Sequence, residues 1–250
     1  MDSQLYANSN KRFEALLWVV AAVLMVATAY YQRKTGPSYP VRGSFQLASQ
    51  EYRYSLPRNA LTTSAATVGV PGPGGVEGGA LHYRRYRTDD EFETAPLRGR
   101  DGELVGELPA QPPAGKLEYL VTLDTPEGEL LLPSSGETVI IRFKDPVPLY
   151  YLIPHIAMMF VAMLIGVRAG LAGIFGSGKM RQLAWISLAV MTVGGLILGP
   201  IAQYYAFGAF WTGFPVDYDL TDNKVLIMWL VWVLACATIV LAKKRNERAS

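Results

Sequence analysis

The sequence predicts a membrane bundle of four helices with one all-β domain inserted between the first helix and the second. Three observations predict it. Four apolar stretches, Phe13–Tyr31, Leu149–Val167, Leu183–Ala202 and Val225–Ala242, each approach the roughly 20 residues that cross a bilayer as a helix. The polar segment 32–148 breaks into short alternating runs separated by Gly, Pro and Asp, the pattern of a sandwich or barrel. Lys and Arg cluster in the segments that an even number of spans would leave on one side.

The first stretch follows Lys11-Arg12 and contains Ala27-Thr28-Ala29, a small-x-small pattern like a signal-peptidase box. Its apolar run is long, so it reads as a retained anchor. Beyond it, the expected strands are Val41–Leu47, Glu51–Leu56, Leu81–Tyr86, Phe92–Pro96, Glu103–Leu108, Leu117–Leu123, Glu129–Leu132 and Thr138–Phe143. Leu117, Tyr119, Val121 and Leu123 alternate with Glu118, Leu120 and Thr122, as a strand with one buried face requires. Residues 68–80, rich in Gly and Pro, carry little side chain to pack and are expected to form a loop.

Orientation follows from the basic residues. The tail Lys243-Lys244-Arg245-Asn246-Glu247-Arg248 reads as cytoplasmic, and Arg168, Lys179 and Arg181 in the expected loop 168–182 agree with it. Residues 1–12 then share that side, while 32–148 and the loop 203–224 lie outside. Arg33-Lys34 votes the other way. Tyr30-Tyr31, Tyr150-Tyr151, Tyr204-Tyr205 and Trp211 fall at the outer ends, where an interfacial aromatic belt belongs. A net charge of +2 gives no footprint for nucleic acid, and a single cysteine, Cys236, forms no intrachain disulfide.

Two features offer chemistry. The loop after the third span brings Tyr204, Tyr205, Phe210, Trp211 and Phe214 beside Asp217, Asp219 and Asp222. It reads as a lid, a docking surface or a weak cation site, or as helix caps flanked by belt aromatics. His155 is the one ionisable residue well inside an expected span, followed on its face by Met158, Met159, Ala162 and Gly166. It could serve a haem, with Met228 on the fourth span as the opposite ligand, or a quinone. Otherwise it hydrogen-bonds a neighbouring helix, through Tyr204 or a carbonyl freed by Pro154 or Pro200. Gly194-Gly195, Gly199, Gly166, Gly170 and Gly173 would let helices approach closely, and Gly199-Pro200 should bend the third span. Gly173-Ile174-Phe175-Gly176-Ser177-Gly178-Lys179 has phosphate-loop spacing, but Met180 stands where magnesium needs a hydroxyl, so it reads as a basic turn.

A family resemblance covers part of the domain. It rests on Leu81-His82-Tyr83-Arg84-Arg85-Tyr86, Phe92, Pro96-Leu97, the segment Glu107-Leu108-Pro109-Ala110-Gln111-Pro112-Pro113-Ala114-Gly115-Lys116-Leu117-Glu118-Tyr119, and the turn Asp124-Thr125-Pro126-Glu127-Gly128. These resemble the repeated strands of bacterial immunoglobulin/fibronectin-III-like modules. The stretch Gly208-Ala209-Phe210-Trp211-Thr212-Gly213-Phe214-Pro215, with Asp219-Leu220-Thr221-Asp222-Asn223-Lys224, resembles four-span bacterial inner-membrane proteins. The resemblance implies an immunoglobulin-like sandwich that binds or scaffolds, and it brings no catalytic residue. The expected function is therefore a non-catalytic accessory or scaffold subunit, partnered by a membrane or periplasmic protein or by a second copy. The alternative is a redox or cofactor-handling protein using His155; a small-solute transporter ranks below both.

Overall fold

The computed structural model describes residues 2–176 and 179–249. The chain forms two units: Arg33–Pro146 together with Ala206–Gly208, and the rest of the described chain. Residues 177 and 178, central to the phosphate-loop spacing, lie outside the described residues, as do the side chains of the basic tail.

The helical unit contains α1 (Asp2–Thr35), α2 (Leu149–Ile174), α3 (Met180–Met191), a π-helical segment (Thr192–Leu198), α4 (Gly199–Phe207) and α5 (Leu220–Ala249). Four stretches in it are long and apolar enough to cross a membrane: Lys11–Thr35, Leu149–Ile174, Met180–Phe207 and Leu220–Ala242. Their outward faces are apolar, with Val19, Val23, Ile153, Ile227 and Leu234 all exposed, as hydrocarbon solvation requires. The second span continues past Val167, and Arg168 lies inside α2 rather than in a loop. A helix interior accepts that arginine because Glu14 of α1 pairs with it.

Glycine sets the closest approaches. A Cβ on Gly194 would stand 2.8 Å from Met158 Cβ, and one on Gly195 would stand 2.9 Å from Val225 Cγ1. Gly166 is similarly tight against Ser187 and Trp232, at 3.1 Å. Gly170 differs from the expectation: nothing lies within 4 Å of its Cβ position. With Ala169, Gly173, Met180, Ala184 and Trp232 it lines a groove of about 270 Å³. The third span reaches Gly199-Pro200 through the π-helical turn, whose wider ladder ends with Gly199 N–H donating to Gly194 O.

The β unit contains β1 (Val41–Leu47), β2 (Gln50–Leu56), β3 (Asn59–Leu61), β4 (Ala66–Pro71), β5 (Gly78–Arg85), β6 (Glu93–Pro96), β7 (Arg98–Arg100), β8 (Glu103–Leu108), β9 (Lys116–Thr125), β10 (Gly128–Leu132) and β11 (Val139–Lys144). Strands β1 and β2 pair as a hairpin, β4-β8-β7 form a second sheet, and β3-β11-β9-β5-β6 form a third, with β10 also on β9. Only β3 and β11 run parallel. One core draws on all three sheets, among them Phe45, Leu56, Val68, Leu81, Leu108, Tyr119, Val121, Ile141 and Phe143.

The expected strands β1 and β8 match end to end, and the other six differ by a few residues at their ends. β3, β4 and β7 were not anticipated. The loop expected over 68–80 is corrected: β4 occupies 66–71 and β5 begins at Gly78. Ala66, Val68 and Val70 alternate into the core, with Val68 fully buried, so three small apolar side chains suffice for an edge strand beside β8. Gly69 points outward between them.

Candidate functional site

The loop from Ala209 to α5 is built from its own carboxylates. Asp219 precedes the first turn of α5, and its Oδ1 accepts from the N–H groups of Thr221 at 2.8 Å and Asp222 at 3.4 Å. That is N-cap geometry, satisfying donors the helix leaves unpaired. Asp222 is buried and turns back toward the loop. Its Oδ2 accepts from Thr212 N–H at 2.7 Å, Gln203 Nε2 at 3.0 Å and Thr212 Oγ1 at 3.2 Å. Asn223 Oδ1 accepts from Phe214 N–H at 2.7 Å, and Trp211 Nε1 donates to Phe214 O at 3.1 Å. Asp217 Oδ1 accepts from Tyr218 N–H at 2.7 Å. Gly213 permits the fold-back, since a Cβ there would lie 2.7 Å from Asp222 Cβ.

This network fixes a surface rather than a pocket. Tyr204 stacks on Phe210 with centroids 4.3 Å apart, and Tyr205 stacks on Tyr151 at 5.3 Å. Phe214, Val216, Tyr218 and Leu220 present 61%, 73%, 81% and 73% of their surface outward. Among the described residues no group of three or more His, Cys, Asp or Glu side chains assembles that could hold a metal ion. The acidic residues for which a weak cation site is one reading, and helix capping the other, turn to the backbone, to Thr212 and to Gln203.

His155 Nδ1 donates to Gly194 O at 2.9 Å, on the π-helical segment. The partner is neither Tyr204 nor a carbonyl exposed by a proline. Because a carbonyl only accepts, Nδ1 carries a proton, and in the neutral ring the lone pair lies on Nε2. Met158 and Met159 share the histidine's face and pack against Gly194 and Gly195. Met228 is 46% exposed on α5 and does not join them.

No protein-family model matches this chain, and no curated protein sequence matches it significantly.

One site escaped the sequence reading. Arg168 is fully buried, ion-paired with Glu14, and its guanidinium carbon lies 5.6 Å from the Trp18 ring centroid. Its Nε and Nη1 have no hydrogen-bond partner among the described residues. The available signal was Glu14 and Trp18, one turn apart in α1, but nothing linked them to a residue 150 positions later. His82, which its place between Leu81 and Tyr83 marks as a solvated or edge strand residue, lies in β5. Its ring nitrogens lie 3.1 Å from Thr94 Oγ1 and 3.0 Å from Thr122 Oγ1, on the outer face of the largest sheet. It borders a shallow groove with Phe92, Leu120 and Glu129. Hydroxyls both donate and accept, so either imidazole form is satisfied there.

Proposed function

We propose that this chain is a non-catalytic accessory or scaffold subunit of a bacterial inner membrane that presents an immunoglobulin-like β module on the periplasmic side and docks a partner protein through the outer loop. The rigid apolar loop carries this reading. Its carboxylates are committed to internal hydrogen bonds, while Phe214, Val216, Tyr218 and Leu220 remain exposed. Preorganised aromatic surface lowers the ordering cost of association. The all-β module with a single apolar core and edge strands supports a binding role, and the repeated-strand resemblance supports its immunoglobulin-like assignment.

Purification in mild detergent with a photo-crosslinker at position 218, followed by mass spectrometry, tests the proposal. A discrete adduct is expected, and Phe214→Asp should abolish it while Asp217→Asn spares it. A solitary protein with robust turnover of its own would overturn it.

One observation favours a second reading. The Nδ1 bond to Gly194 O leaves the His155 Nε2 lone pair available, the arrangement by which a carbonyl orients a ligating imidazole. A haem absorption band in the purified protein, lost in His155→Ala, would promote a redox role over the scaffold.

A further inference from the structure

The β unit is polarised in charge along its strands. β1 begins shortly after α1 ends, and β11 finishes at Lys144 shortly before α2 begins, so both chain junctions belong to one end of the unit. The register gathers cations at that end. Arg142 pairs across from Lys116 on β9, and Lys144 across from Leu61 on β3. Arg142 N–H donates to Arg58 O at 3.1 Å. Tyr39 ties in two more: Lys34 Nζ donates to its hydroxyl at 2.8 Å, and the Arg42 guanidinium lies 4.9 Å from its ring centroid. The Tyr39 phenol is held below its usual range, chiefly by the Lys34 hydrogen bond, which desolvation opposes and the charges of Arg42, Lys34 and Arg33 reinforce.

Three acids near this end have partners, while Asp89 and Glu91 flank one of them in the loop after β5. Glu118 binds Arg84 and Thr138, Asp90 binds Arg85, and Asp145 accepts from Thr62. The opposite end carries Glu77, Glu103, Asp124 and Glu127, with Arg100 set beside Asp101. Connectivity limits how far the basic end can stand from lipid. Lys144 is five residues before Leu149, a reach of at most about 17 Å in fully extended chain. Cations so tethered lie within one or two Debye lengths of a charged leaflet surface at physiological salt.

We propose that Lys34, Arg42, Arg58, Lys116, Arg142 and Lys144 form a binding surface for the phosphate groups of anionic phospholipids in the leaflet to which the β unit is tethered. The surface also accounts for Arg33-Lys34, the basic pair that disagrees with the charge bias of the other loops. Phosphate contacts retain cations on a face the topology rule would leave neutral. The inference holds whether or not the loop docks a protein.

Full-length protein reconstituted in phosphatidylcholine vesicles, with trace spin-labelled phosphatidylglycerol or phosphatidylcholine, measures the lipid shell directly. Wild type should enrich the anionic label, and 0.5 M NaCl should reduce that preference. The variant K34Q/R42Q/K116Q/K144Q changes four exposed side chains and should lose at least about fivefold of the preference. The opposite-end variant E77Q/E103Q/E127Q should keep it. An unchanged preference in the fourfold variant overturns the proposal, as does its complete loss on neutralising Lys243, Lys244, Arg245 and Arg248 alone. Equal wild-type association of both labels overturns it as well.

Discussion

Arg168 and Glu14 form an ion pair with one partner fully buried, in a bundle whose other faces are apolar. Glu14→Gln strands the fully buried Arg168 guanidinium and should destabilise the bundle by about 3 kcal/mol, whereas Arg168→Met, which leaves only the partly exposed Glu14, should cost less. The double variant Glu14→Gln/Arg168→Met should recover most of that loss. Unfolding in mixed micelles on all four proteins checks the cycle, and additivity would sink the pairing. At Tyr119 burial acts on an acid instead. The hydroxyl donates to Pro57 O at 2.8 Å, and desolvation raises the phenol well above its ordinary value of 10.0, opposed only weakly by Arg58. A raised native pKa makes stability complete below pH 10 and lost as pH rises beyond it, at up to about 1.4 kcal/mol per pH unit. Hydrogen exchange of the β9 amides should accelerate above pH 10, and the Tyr119 part of that slope should vanish in Tyr119→Phe.

At the scale of elements, the π-helical turn is held from two sides. Trp229 Nε1 donates to Thr192 Oγ1 at 2.9 Å from α5, and His155 donates to Gly194 O from α2. A methyl group at Gly194 would meet Met158 Cβ at 2.8 Å, with backbone atoms of α2 at 3.4 Å. Gly194→Ala should therefore push α2 away, cost about 1–3 kcal/mol and break the His155 bond. Thermal unfolding reads the first effect, and the imidazole 15N shifts read the second. Gly170→Ala, with open space around its Cβ position, serves as the silent control. In the β unit the turn between β9 and β10 depends on Gly128, whose φ of +118° is closed to L side chains, and on Thr125 Oγ1 donating to Gly128 O at 2.7 Å.

For the whole molecule, a bundle of apolar helices and a β module share one chain while keeping separate cores, one between helices and one drawn from three sheets. Protease added outside spheroplasts should cut within the β module, at loops such as 87–92, and leave the basic tail intact. Digestion of the tail with a protected module would invert the orientation we propose.

Four spans and most strands were legible because both signals are local. A run of about 20 apolar residues has few alternatives in lipid, and strict alternation has few in a half-buried sheet. β4 was missed because Gly and Pro composition outweighed the period-2 placement of Ala66, Val68 and Val70. The loop residues Trp211, Asp219 and Asp222 could be singled out in sequence, and so could the capping geometry that Asp219 adopts. That Asp222 turns back to hold Thr212 and Gln203, that Glu14 meets Arg168, and that one end of the β unit gathers its cations were decided by the tertiary structure alone. Each depends on which polar groups folding brings together, from 10 positions apart for Thr212 and Asp222 to 154 for Glu14 and Arg168, and hydrophobic patterning specifies which face is buried without specifying which polar groups will meet.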